Sequence, residues 1–183
     1  MTDTSIAGTS GNDVIDGGTH ADVIAGNAGA DTIYGGTGSD FLLGNLDNDV
    51  VYGEQGRDVL YGGLGSDVLY GANGSDVLSG DFGADTLIGG NGGDTFYFDM
   101  RTAGHDHLGG LASDTISDFS HGDKLLFGHY TASAALMFTQ SGSDTLVYVD
   151  ADGNGSADYL AVTVINAAMS AVQSASSFGE LVL

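Results

Sequence analysis

The chain contains no cysteine, no proline and no tryptophan, and its only bases are Arg57, Arg101 and Lys124. Without cysteine there is neither a disulfide framework nor a thiolate metal site. Without a basic footprint the chain is no nucleic-acid binder, and the same lack argues against adsorption to an anionic membrane surface. Long apolar runs are missing too. The longest mostly apolar stretch, Leu160 to Met169, includes Thr163 and Asn166 and is too short for membrane insertion. Met1-Thr2-Asp3-Thr4-Ser5 lacks the basic and apolar regions of a cleaved N-terminal secretory signal. What is abundant is glycine, 32 of 183 residues, beside 25 acids and a formal net charge of −22. Charged residues are only 15 % of the chain, so this charge reflects missing cations rather than crowded acids. With 42 % apolar residues, the chain is too hydrophobic for a solvating acidic tail. The length fits one domain, or one domain carrying a small extension. A folded domain of this charge calls for positive charge from solution, and metal ions are the natural source.

From Gly8 to Tyr97 the chain divides into ten nonapeptides without an insertion. Position 1 is Gly in all ten, from Gly8 to Gly89. Position 6 is Asp in all ten: Asp13, Asp22, Asp31, Asp40, Asp49, Asp58, Asp67, Asp76, Asp85 and Asp94. Position 8 is always a large apolar residue, Ile15, Ile24, Ile33, Leu42, Val51, Leu60, Leu69, Leu78, Leu87 and Phe96. Position 4 is Gly except at His20 and Asp47. Six residues rich in Gly, Asn and Asp make a tight turn that needs positive φ angles. The last three, such as Val59-Leu60-Tyr61, make a short strand whose middle side chain points inward. One such strand buries nothing alone, whereas stacked strands line up their position 8 residues as an internal ladder. Two turns and two strands make one coil of a parallel β-roll, and five coils stack to about 19–24 Å.

Asp residues 18 apart then lie above one another in two columns of turns. Asp13, Asp31, Asp49, Asp67 and Asp85 form one; Asp22, Asp40, Asp58, Asp76 and Asp94 form the other. Carboxylates stacked roughly 5 Å apart repel, and a cation in each gap turns that repulsion into ligation. Carboxylate and carbonyl oxygens suit a hard ion, and a loose cage suits calcium over magnesium. The gaps between Asp13 and Asp94 hold about eight ions, which offset most of the −22.

The unit GGxGxDxUx resembles the repeat of the RTX proteins, which bacterial type I systems export; Gly62-Gly63-Leu64-Gly65-Ser66-Asp67-Val68-Leu69-Tyr70 matches it in full. The resemblance implies an all-β fold, a right-handed parallel β-roll followed by a C-terminal β-rich cap. It also implies the ligands: the Asp and the position 2 and 4 carbonyls of one turn face the Asp and the position 1 and 3 carbonyls of the next in the column. Carried onto this chain, the position 2 and 4 carbonyls are those of Thr9 and Gly11, Gly18 and His20, Asn27 and Gly29, Gly36 and Gly38, Asn45 and Asp47, Glu54 and Gly56, Gly63 and Gly65, and Ala72 and Gly74. The facing carbonyls belong to Gly26 and Ala28, Gly35 and Thr37, Gly44 and Leu46, Gly53 and Gln55, Gly62 and Leu64, Gly71 and Asn73, Gly80 and Phe82, and Gly89 and Asn91.

The organisation expected is a lead-in over residues 1–7, the roll over 8–97 and a capping region over 98–183. In the last, Asp114-Thr115-Ile116-Ser117-Asp118-Phe119 with Gly122-Asp123-Lys124-Leu125 resembles the segment that follows the repeats in serralysin-type proteases and related exoproteins. Because the register after Asp85 and Asp94 supplies no position 6 acid directly, Asp106 and Asp114 are expected to complete the last site. Runs from Asp144 to Val149 and Tyr159 to Ile165 read as a β-hairpin. Its connection carries Asp150, Asp152, Asn154 and Asp158 at the spacing of an EF-hand loop, but Ala161 stands where the bidentate Glu belongs. A solvated turn is the favoured reading there, and a weak calcium site the alternative. The segment from Asn166 to Ser177 reads as a weak helix, and the His105-Asp106-His107 run as an exposed loop. Glu180-Leu181-Val182-Leu183 resembles the family's uncleaved C-terminal export signal.

No HExxH, GxSxG or cysteine nucleophile is present, so no enzyme is expected. The leading reading is a secreted, extracellular calcium-binding module that folds on calcium outside the cell. It supports type I secretion as the C-terminal part of a larger protein, with the transporter as its partner during export and an upstream domain in the same chain. The alternative is a module for extracellular polysaccharide. Its support is an outward ladder of Tyr34, Tyr52 and Tyr70 continued by Ile88, with Leu43, Tyr61 and Tyr97 beside Phe41 and Val59 on the other sheet. Cover from residues 98–183 or a neighbouring domain is the favoured explanation of that stripe.

Overall fold

A computed structural model describes residues 4–99, 113–128, 134–150, 153–157 and 159–178. Strands follow the repeat: β1 (Ser5–Ala7), β2 (Val14–Asp16), β3 (Val23–Ala28), β4 (Thr32–Gly38), β5 (Phe41–Leu46), β6 (Val50–Gly56), β7 (Val59–Leu64), β8 (Val68–Asn73), β9 (Val77–Phe82), β10 (Thr86–Asn91) and β11 (Thr95–Asp99). After them come β12 (Asp114–Ile116), β13 (Lys124–Gly128), β14 (Ala135–Ser141), β15 (Asp144–Asp150), β16 (Tyr159–Val164), α1 (Met169–Ala175) and β17 (Ser176–Phe178). Odd strands build one sheet in the order β1-β3-β5-β7-β9-β11-β13-β17. Even strands, joined by β15, build the other, β14-β15-β16-β12-β10-β8-β6-β4-β2. The fold is an all-β parallel solenoid in which each strand pairs with the one two elements on, as Leu42 with Leu60 and Val51 with Leu69.

Position 8 side chains point between the sheets because flanking residues in a strand face the other way. Ile24, Ile33, Leu42, Val51, Leu60, Leu69, Leu78, Leu87 and Phe96 are all fully buried. The strands are longer than the expected three residues, mostly six or seven. Positions 1 to 3 stay in the ladder because position 2 takes a left-handed conformation, with φ of 83° at Asn27, 82° at Asn45 and 75° at Ala72. That single flip bends the chain while the inter-coil hydrogen bonds continue.

Both sheets run past Tyr97. The strands β12 and β13 add a sixth coil, pairing in parallel with β10 and β11, and Ile116 and Leu125 extend the inner ladder. The lead-in also joins in, since β1 pairs with β3. At the far end β15 pairs antiparallel with β16, the expected hairpin, and with β14, which the sequence reading did not foresee. That reversal ends the solenoid. Phe98 stacks on Phe127, with ring centroids 5.1 Å apart, and Val147, Val149, Val162 and Val172 close the core. The helix α1 spans seven residues with no capping side chain, as its Ala/Ser-rich sequence implies.

Candidate metal centre

Each position 6 carboxylate does two different things with its two oxygens. Asp58 is 1 % exposed; its Oδ1 accepts the Asp40 N–H at 2.8 Å, and its own N–H donates to Asp76 Oδ1 at 2.8 Å. The same bond climbs both columns, from Asp13 through Asp31, Asp49, Asp67 and Asp85, and from Asp22 through Asp40, Asp58, Asp76 and Asp94. The two-column register is therefore present in the backbone itself. The other oxygen, Oδ2, has no hydrogen-bond partner in Asp22, Asp31, Asp40, Asp49, Asp58, Asp67, Asp76, Asp85 and Asp94. Leaving a buried polar atom unpaired costs about 1–3 kcal/mol each, and more for a charge.

What surrounds that oxygen explains the invariant glycine. A Cβ on Gly71 would lie 2.7 Å from Asp76 Oδ2 and 2.6 Å from the carbonyl oxygen of Gly89, one coil on. Position 1 is thus glycine for space rather than for φ. The space it leaves is lined by a carboxylate oxygen and a carbonyl oxygen, acceptors without donors, which is a cradle for a cation. Among the described residues no three His, Cys, Asp or Glu side chains gather at one point. A cation here takes most of its ligands from backbone carbonyls, and a flexible oxygen cage of that kind suits calcium.

The electrostatics agree. Burial pushes Asp58 and Asp67 up to about 7, against the backbone hydrogen bond each accepts and with help from the neighbouring carboxylates. Asp49, Asp85 and Asp94 are pushed up to about 6, burial again the first cause. Asp40 and Asp76 are raised by burial as well. Asp22 is lowered instead, because the Thr4 hydroxyl and N–H both donate to it. Asp13 at the open end differs from all of these in having its Oδ2 hydrogen-bonded, accepting the Thr9 N–H at 2.6 Å and hydroxyl at 2.9 Å.

The departures from consensus keep the turn intact. His20 and Asp47 have φ of 132° and 75°. Their carbonyl oxygens lie against Gly38 and Gly65 one coil on, as that of Gly56 lies against Gly74.

Beyond the repeats, Asp114, expected with Asp106 to complete the last site, continues the first column, and Asp123, which was not expected there, continues the second. Asp85 N–H donates to Asp114 Oδ1 at 3.0 Å and Asp94 N–H to Asp123 Oδ1 at 2.9 Å. Both steps span 29 residues, and Asp114 and Asp123 are nine apart with Ile116 and Leu125 two places after them. That spacing is the nonapeptide register resumed after an eleven-residue insertion. The nine-residue spacing is a signal in the sequence, but the insertion before it breaks the count from Asp94, which is why Asp118 and Asp123 are not among the expected site residues. Asp106, Asp152, Asp158, His105, His107, His129 and residues 180–183 lie outside the described residues. Asp150 is 2 % exposed and ties its loop from within, accepting the N–H groups of Gly153, Asn154 and Gly155 at 2.8, 3.1 and 2.8 Å. Asn154 accepts the Ser156 N–H.

On the outer face Tyr34, Tyr52 and Tyr70 stack with centroids 4.9 and 4.7 Å apart and planes within 6°. The described C-terminal strands lengthen this sheet at its edge instead of crossing the ladder.

A family model for the RTX calcium-binding nonapeptide repeat (4 copies) matches residues 3–33, 34–69 and 70–99. No curated protein sequence matches the chain. Among solved structures, the AlgE6R3 subunit of the Azotobacter vinelandii mannuronan C5-epimerase aligns at 26 % identity with a TM-score of 0.51, over 73 % of this chain and 78 % of that one. The extracellular lipase LipA of Serratia marcescens aligns at 18 % identity and a TM-score of 0.39, over 94 % of this chain and 39 % of that one.

Proposed function

The chain belongs to the RTX calcium-binding nonapeptide repeat family, and from that premise we propose that it is a secreted folding module whose roll forms at neutral pH only when calcium fills its two columns. The observation that carries this reading is the row of buried carboxylate oxygens without partners, from Asp22 to Asp94. The position 6 carboxylates and the turn carbonyls would hold the ions. Calcium supplies charge neutralisation and no redox or acid–base step. The chain's own contribution is to stack those oxygens at one-coil intervals through the Asp N–H to Oδ1 bonds. Metal binding and folding are then a single event. Extracellular calcium modules bind at about 10⁻⁴–10⁻³ M, so the chain stays loose in a calcium-poor cytosol and folds outside. An unfolded chain is what a type I transporter threads. Far-ultraviolet circular dichroism in calcium and in chelator tests the folding step. The spectrum is expected to gain β-structure with calcium, and one unchanged by chelator would refute the reading. Deleting residues 180–183 tests the export step: secretion through a type I system should stop while calcium-induced folding persists.

A second reading, attachment to polysaccharide, draws support from the likeness to a repeat domain of a mannuronan-modifying enzyme. The tyrosine ladder gives it little help. The stacking covers both faces of Tyr52 and one face each of Tyr34 and Tyr70, whereas a sugar packs on a free face. Glycan binding that survives Tyr52→Ser would separate this function from the ladder.

A further inference from the structure

We propose that the second column of ions does not stop at Asp94 but has one more site, in the gap between Asp94 and Asp123, outside the stretch that the repeat family matches. The inference rests on the calcium-dependent folding reading and extends it to residues that depart from the repeat.

The turn at 118–123 lies over the turn at 89–94, held there by a side chain, since the backbone ladder between β10 and β12 ends at Ile116. Gly89 and Gly90 donate their N–H groups to Asp118 Oδ1 and Oδ2 at 2.9 and 2.7 Å. Lys124 N–H donates to the Asp94 carbonyl at 2.7 Å, the bond that each position 7 residue makes one coil down. Below the gap, Asp94 is fully buried, and its Oδ2 has no partner and is aimed at the Gly89 position. Above it, Asp123 is 4 % exposed and presents a second buried carboxylate. Gly90 and Gly92 hold the positive φ angles, 94° and 143°, that their counterparts hold in the coils below. The oxygens that the structure offers this gap are the unpartnered Oδ2 of Asp94 from one side and the carboxylate of Asp123 from the other.

The loss of the position 1 glycine here has a physical reason. Within the roll that glycine makes room for the Oδ2 of its own repeat. Asp123 Oδ2 instead accepts the Ser120 N–H at 2.7 Å, so the space beside residue 118 is free for a side chain. Each carboxylate oxygen keeps a further lone pair for an ion after accepting one N–H.

Calcium ions counted by native mass spectrometry on the full chain test this. Asp123→Asn keeps an oxygen to accept the Asp94 N–H and should carry one ion fewer than the unaltered chain, with the same calcium-saturated circular dichroism. Asp94→Asn gives an independent count should the first variant fail to fold. It should lose two ions if the column continues to Asp123 and one if the column ends at Asp94. An unchanged count in Asp123→Asn, or a single ion lost in Asp94→Asn, overturns the site. An unaltered chain that binds no calcium would instead overturn the folding reading beneath it.

Discussion

At the residue scale, the division of labour between Oδ1 and Oδ2 decides what each aspartate is worth. Asp58 borders two gaps of its column, whereas Asp13 borders one and is already hydrogen-bonded by Thr9. Asp58→Ala should therefore raise the calcium midpoint for folding more than Asp13→Ala, and equal midpoints would contradict the column register. Gly71→Ala should be as damaging as an aspartate change, since its Cβ would press on both Asp76 Oδ2 and the Gly89 carbonyl. The invariant Gly and Asp were visible in the sequence. Their mutual crowding was not, because it needs the position of the neighbouring coil.

Proton binding at the same oxygens sets a pH dependence whose sign is fixed by the direction of the shifts. Asp49, Asp58, Asp67, Asp85 and Asp94 are raised from 3.8 to between about 6 and 7. A raised pKa means that the folded, metal-free roll binds protons more tightly than the unfolded chain. Its stability is then fullest below about pH 4 and is lost as the pH climbs through about 6 to 7. In chelator, β-structure should be greater at about pH 4.5 than at about pH 7.5. With calcium the trend should reverse, because protons compete for the ligand oxygens. A metal-free spectrum that ignores pH would show that these carboxylates are not buried together.

At the scale of elements, the β13 strand carries more than its place after the repeats suggests. Leu125 continues the inner ladder, and Phe127 is fully buried against Phe98. Phe127→Ala should cost about 3–5 kcal/mol, read as a lower thermal midpoint in saturating calcium. A shift no larger than that of an exposed site would mean that the sixth coil is not part of the same core. The strand itself was legible, since Lys124-Leu125-Leu126 repeats the pattern of Val59-Leu60-Tyr61. The eleven-residue insertion hid the register, because the sequence alone does not tell an interrupted repeat from a finished one. The β14 strand escaped for a different reason. Its partly buried Leu136, Met137 and Phe138 run consecutively and give no period-two signal.

For the whole molecule, the question is whether charge or specific ligation drives collapse. A chain of −22 repels itself, and any salt screens that repulsion to a Debye length of about 8 Å at physiological strength. Screening does not provide a partner for an orphaned Oδ2, nor does it bridge an aspartate to the carbonyl of the next coil. Magnesium, which holds its water shell and asks for strict octahedral geometry, bridges them poorly. Small-angle scattering should therefore separate the mechanisms. Calcium is expected to shrink the radius of gyration from about 45 Å to below about 20 Å. Potassium chloride at equal ionic strength and magnesium at equal concentration should leave it near the expanded value. Compaction by potassium chloride alone would mean that the unpartnered carboxylates are tolerated in the core, and the two columns would then be a consequence of the fold and no longer its cause.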